Sequence, residues 1–152
     1  MLLGFKQRFV EPILTGSKIH TLRLRRKKPP KLGETLYMYT GLRTNNSELI
    51  CKNHTLLGEQ KTWVRIDFVM SDKKAIIEYR LKVCVDGFRL SDQQLYDFVI
   101  NDGFTGIADF VEYWISPAIR KQVKKLNLTY KWLKIATPLR LHHWTTFKYK
   151  KQ

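Results

Sequence analysis

Polar and apolar positions alternate most cleanly over residues 61–70. Val64, Ile66, Phe68 and Met70 fall on one face there, and Trp63, Arg65, Asp67 and Val69 on the other. A second β-rich run covers residues 75–85. The polar Ser71-Asp72-Lys73-Lys74 lies between them, so the two runs predict an antiparallel hairpin closed by Asp86-Gly87. Residues 35–40 keep the same two-residue period, setting Tyr37 and Tyr39 against Leu36 and Met38. Residues 2–5 are apolar enough for a first strand. Residues 139–149 predict a last one, with His142 and Trp144 on one face and His143 and Thr145 on the other.

A helical period appears in three places. Phe9, Ile13 and Leu14 share one face of a helix that starts near Arg8 or Phe9, tolerates Pro12 in its first turn and stops at Gly16. Ser91 caps a second helix running to Ile100, with Asp92 near its positive end and a buried stripe of Leu95, Phe98 and Val99. Asn101-Asp102-Gly103 ends that helix, and Thr105 caps a third whose apolar face is Ile107, Phe110, Val111, Trp114 and Ile115. Residues 42–60 are polar and broken by Asn45-Asn46-Ser47 and Gly58, which predicts an irregular excursion with a short strand at 49–52. Residues 121–134 are basic with interleaved Leu126, Leu128, Tyr130, Trp132 and Leu133, and fit either a strand or a closing loop. The expected class is α+β, one domain over residues 1–152, mostly antiparallel with a few packed helices.

Charge narrows the partners. The chain has 28 Lys and Arg against 13 Asp and Glu, a formal net charge of +15, which makes polyanions and nucleic acid the leading class. Part of that excess sits in Arg25, Arg26, Lys27, Lys28 and Lys31, where Pro29-Pro30 bars regular structure and predicts an exposed loop. No uncharged apolar run approaches the roughly 20 residues needed to span a bilayer, and the apolar start MLLGF is short for a signal peptide. A cytoplasmic protein without a membrane partner is expected. Cys51 and Cys84 stand apart without a metal-ligand rhythm and read as reduced thiols.

The densest chemistry lies in residues 7–26, QRFVEPILTGSKIHTLRLRR. This stretch contains Gly-Ser-Lys-Ile-His-Thr-Leu-Arg and is followed by Leu32-Gly33-Glu34 before a strand, then by Asn101-Asp102-Gly103-Phe104 and His142-His143-Trp144-Thr145. In that order, over most of the chain, these pieces resemble the ASCH domain, a relative of the PUA-like RNA-binding domains. The resemblance implies a small β-barrel with helices around a cleft, and recognition of RNA or a nucleobase. Some members of that family resemble hydrolases of acylated cytidine that use a lysine, a threonine and an acid, and ribonuclease activity has been suggested for others. Carried over by motif, these groups are Lys18, Thr21 and Asp102, the last standing where the hydrolase-like members carry a glutamate.

Each group also has its own chemistry. Lys18 acts as a nucleophile or base only when neutral, and otherwise serves as a cation for phosphate or an acidic neighbour. Thr21 offers a hydroxyl to an oxyanion or simply β-propensity, and Asp102 either projects into a cleft or forms a turn. Lys18 and Thr21 fall on opposite faces of an ideal strand, so joint action requires a bend after Gly16. Arg23 has the planar fork suited to phosphate or a base edge, and Arg43 adds to the basic surface. Trp144 and Trp132 suit stacking on an unpaired base or a place in the core. His20, His142 and His143 lack a third ligand at convincing spacing, so neither metal nor another cofactor is expected. The primary expectation is an RNA- or nucleoside-binding domain with a basic cleft. The alternative is a metal-independent amidohydrolase of N4-acylated cytidine, or a ribonuclease.

Overall fold

The computed structural model describes residues 1–70, 76–114 and 133–151, with the backbone alone at 70, 76, 77 and 133–137. Strand β1 (Leu2–Phe5), a 3-10 turn (Gln7–Phe9) and helix α1 (Val10–Leu14) lead into β2 (His20–Leu24). Strands β3 (Thr35–Thr40), β4 (Glu48–Thr55), β5 (Gly58–Met70), β6 (Ile76–Val85) and β7 (Phe88–Arg89) follow. Helices α2 (Asp92–Asn101) and α3 (Ile107–Trp114) and strand β8 (Leu133–His143) complete the order. The strands form a three-stranded sheet, β1-β3-β4, and a five-stranded one, β2-β8-β5-β6-β7. Every ladder is antiparallel except β1 with β3, so the chain is a small α+β domain of mostly antiparallel sheets.

Among the described residues the two sheets do not close into a barrel. Instead, the end strands β1 and β2 are joined by side chains: Arg23 Nη2 donates to the Gly4 carbonyl at 2.8 Å and Arg26 Nη2 to the Leu2 carbonyl at 3.0 Å. The N-terminal ammonium anchors the start, donating to the Thr35 carbonyl and lying 2.8 Å from Glu34.

One apolar cluster fills the interior. It takes Leu3, Phe5, Leu36 and Met38 from one sheet, Val64, Ile66, Phe68, Val83 and Leu141 from the other, and Ile13, Phe98 and Phe110 from the helices. Expectations that rested on a buried face agree with this arrangement. Leu36 and Met38 are buried beneath exposed Tyr37, and the β5–β6 hairpin pairs in register from Thr62↔Val85 to Val69↔Glu78. Its turn, with residues 71–75, lies outside the described residues, as do Trp132, Ile115 and positions 121–132. Ser91 caps α2 with a reciprocal box, accepting from the Gln94 amide while the Gln94 side chain accepts from its own.

Other expectations are corrected. Residues 42–60 contain the full strand β4 and the start of β5. No residue of β4 is buried, so it has no inward stripe for a pattern to reveal, and as an end strand it is held by its ladder to β3. Leu14 is 62% exposed, because it is the last residue of the helix and only Phe9 and Ile13 of the expected face reach the core. The last strand stops at His143 instead of 149, and extends back to Leu133 along β5. Thr105 does not cap α3 in the expected sense: its amide and hydroxyl both donate to Asp109 in the first turn.

Candidate functional site

A cleft of about 670 Å³ lies between the β1 and β2 edges. Its lining includes Phe5, Phe9, Lys18, Thr21, Arg23, Arg25, Arg26, Asp102, Phe104, Tyr113 and Trp114. Local structure brings these residues together. Gly16 takes φ +77° after α1, and the chain then turns back so that the Lys18 amide donates to the Pro12 carbonyl at 2.8 Å. The next amide, of Ile19, donates to the Asn101 carbonyl at 3.0 Å, tying the entry to β2 onto the end of α2. Lys18 therefore precedes the strand, and the alternation that separated it from Thr21 does not apply; both line the cleft.

Lys18 Nζ donates to Asp102 Oδ1 at 2.6 Å and also to the Asp102 backbone carbonyl. That carbonyl belongs to the C-terminal cap of α2, where the helix dipole favours a cation. Both side chains are nearly closed off, at 2% and 5% exposure. Burial pulls the Lys18 ammonium below the ordinary lysine range, against the attraction of Asp102. Burial likewise pushes the Asp102 carboxyl up, against Lys18 and Arg23. Each partner is thus moved toward its neutral form, and each is the main force opposing that movement in the other. The pair is packed from one side by rings, with Nζ 4.8 Å from the Phe9 centroid and 5.8 Å from Phe5. Gly103 lies against both Lys18 and Phe9. At φ +84° it adopts a conformation natural to glycine, and a Cβ there would lie 3.0 Å from Lys18 Cδ and 3.1 Å from Phe9 Cδ1.

Arg23 stacks over Phe5 at 4.7 Å and spends one nitrogen on the Gly4 carbonyl, leaving Nε unpartnered. Trp114 Nε1, in the same wall, also lacks a partner. Exposed Arg25 and Arg26 form the mouth. Lys27 lines an adjoining recess together with them, while Lys28 and Lys31 are exposed on the loop without lining the cleft. Arg43 is exposed in the turn after β3, at φ +74°.

Trp144 is not available for stacking. It follows the end of β8 into the interior, is 5% exposed, and packs edge-on against Phe5 at 6.4 Å. Sequence reading also passed over Phe104 and Tyr113, which lie 5.1 Å apart by ring centroids in the cleft wall; the only signal was their proximity to Asp102 and to the apolar face of α3. His20 and His143 pack edge-on with ring centroids 5.5 Å apart and all four ring nitrogens buried. Burial, reinforced by Lys18 and His143, holds the His20 imidazole far below its usual range. Among the described residues no group of three or more His, Cys, Asp or Glu is placed to hold a metal ion, and no helix is long and apolar enough to cross a membrane.

What the arrangement offers chemically is a proton held between a buried amine and a carboxylate, a neighbouring hydroxyl on Thr21, unpartnered donors in an aromatic wall and a cationic mouth. Comparison with known proteins adds no relative: no family model matches the chain, and neither a curated protein nor a solved structure is significantly similar to it.

Proposed function

We propose that this chain is an RNA- or nucleoside-binding domain of the ASCH type, its two sheets forming an opened relative of the PUA-like barrel. The observation that carries the reading is the cleft itself, where a space of small-molecule size lined by aromatic side chains meets a buried cation–carboxylate pair, with arginines at its mouth. Tyr113 and Trp114, both partly exposed, supply apolar area for a base, and the partly exposed Arg23 guanidinium in the same lining supplies a donor for its acceptors. The arginines attract the sugar-phosphate backbone.

A second reading is favoured by the geometry of the buried pair, Lys18 Nζ 2.6 Å from Asp102 Oδ1 with both side chains almost fully enclosed, where burial moves each group toward its neutral form. A neutral Lys18 can take the proton of Thr21 or of a water as oxygen attacks an acyl carbon, and return it to the departing amine of cytidine. The acyl group then leaves as a carboxylic acid after hydrolysis. One set of measurements tests both readings. Single-stranded RNA should bind with an affinity that falls steeply from low to moderate salt, and unchanged affinity refutes the backbone part. Hydrolysis of N4-acetylcytidine that disappears in Lys18→Ala supports the enzyme; turnover equal in both proteins rejects it.

A further inference from the structure

Beside the cleft lies a second, smaller recess of about 200 Å³, below the roughly 300–1,000 Å³ typical of a site for a whole small molecule. Arg25 and Arg26 line both spaces, so the two share a wall. The recess is completed by Lys27, Arg140, His142 and Glu59. Its cations come from separate parts of the fold, a loop on one side and β8 on the other, and several are held in place. Arg26 is fixed by its bond to the Leu2 carbonyl, and Arg140 Nε lies 3.5 Å from Glu59 Oε1. Glu59 offsets one cation and leaves three in excess. His142 is 2% exposed and lines the recess with Nδ1 unpartnered; Glu59 Oε2 lies 3.4 Å away, outside hydrogen-bond geometry. The loop's proline pair limits how far its cations can swing away.

We infer that this recess binds one phosphate group of a nucleotide whose base occupies the neighbouring cleft, so that the ligand is a nucleotide unit, free or within RNA, in preference to a nucleoside. The inference rests on the nucleobase reading of the cleft and adds to its Arg25 and Arg26 the residues Lys27, Arg140 and His142 that lie outside it. Planar guanidinium groups of Arg25, Arg26 and Arg140 suit the tetrahedral anion, and the ring of His142 adds a short-range polar contact.

The test is calorimetric titration at fixed salt with each of the four ribonucleosides, its 5′- and 3′-monophosphates, a dinucleotide with an internal phosphate, and pyrophosphate alone. The best phosphorylated ligand should bind about ten-fold or more tighter than its nucleoside, the effect expected of charge-assisted hydrogen bonds. That ratio should fall toward one in Arg140→Gln and in Lys27→Ala, the latter on an exposed loop where folding is not at stake. The dinucleotide arm separates a terminal phosphate from an internal one. Equal affinity for nucleoside and nucleotide overturns the subsite and leaves the cleft reading intact. A nucleotide preference that survives both substitutions also overturns it, by placing the phosphate elsewhere. Pyrophosphate binding that is lost in Arg140→Gln, with no nucleoside or nucleotide bound, keeps the anion site and rejects the base-binding cleft. Absence of binding by every probe overturns both.

Discussion

Breaking the Lys18–Asp102 pair should cost far more than removing it whole. The 2.6 Å contact joins side chains that are 2% and 5% exposed, so water cannot replace either partner. Asp102→Asn leaves an ammonium facing an amide and a backbone carbonyl, a loss of about 3–5 kcal/mol for a broken buried pair. Against a total stability of about 5–15 kcal/mol, that is a large fraction. Lys18→Met keeps the stem volume and strands the carboxyl instead. With burial pushing Asp102 up, its folded pKa then lies above the unfolded one. The folded state binds more protons, so the Lys18→Met deficit should shrink as pH falls from neutral toward the carboxylate range. The double variant Lys18→Met/Asp102→Asn removes both charges and should lie within about 1–2 kcal/mol of the parent. Urea unfolding followed by tryptophan fluorescence and circular dichroism measures all four proteins, with a constant m-value required for the comparison. Single substitutions that each cost under about 1 kcal/mol and simply add would refute the argument, since they would mean a solvated pair.

Acid should weaken the fold through its histidines. His142 and His143 are pulled from about 6.5 to about 4 mainly by burial, so the unfolded chain binds more protons between those values and stability falls as pH drops through that window. The ceiling is about 3 kcal/mol per histidine; urea midpoints that stay flat from pH 6.5 to 4.5 would contradict it. Gly103→Ala should cost about 1–3 kcal/mol more than Gly87→Ala, because both have positive φ but only Gly103 faces Lys18 and Phe9 at contact distance. Equal melting temperatures would show that the Gly103 neighbours yield freely. Trp144→Ala should lower stability by about 3–5 kcal/mol while leaving the proposed RNA binding of the folded protein unchanged, the reverse of what a stacking residue gives.

How far the fold was legible followed from burial. Leu36 and Met38, the β5–β6 hairpin and the stripe Leu95, Phe98 and Val99 each set an apolar face against the core, and a period in the sequence records that directly. Strand β4 carries no such record, because none of its residues is buried and its pairing with β3 decides its form. The parallel ladder of β1 to β3 joins Leu2 with Tyr37, a distance no local pattern spans. The candidate site shows the same division. Lys18, Thr21 and Arg23 were visible as a dense polar cluster, yet Asp102 is 84 positions from Lys18 and entered through motif order, not through any signal of its own. Arg140 and His142 were hidden in a strand pattern whose faces did not say what lay opposite them. Trp144 stayed open between stacking and the core, because no local pattern showed that the strand ends one residue before it and that the side chain is then buried.

The arginine bridges between β1 and β2 constrain the protein beyond any ligand. An end strand with free carbonyls is a template on which another copy of the chain can add, the first step toward aggregation. Arg23 and Arg26 occupy the Gly4 and Leu2 acceptors, and their charges repel an approaching copy. On the proposed function, the residues that would draw in a polyanion are therefore also those that cover this edge. Neutralising either one should uncover a sticky edge, and on the proposed function should weaken attraction to RNA in the same step, so that solubility and recognition would be held to the same two side chains.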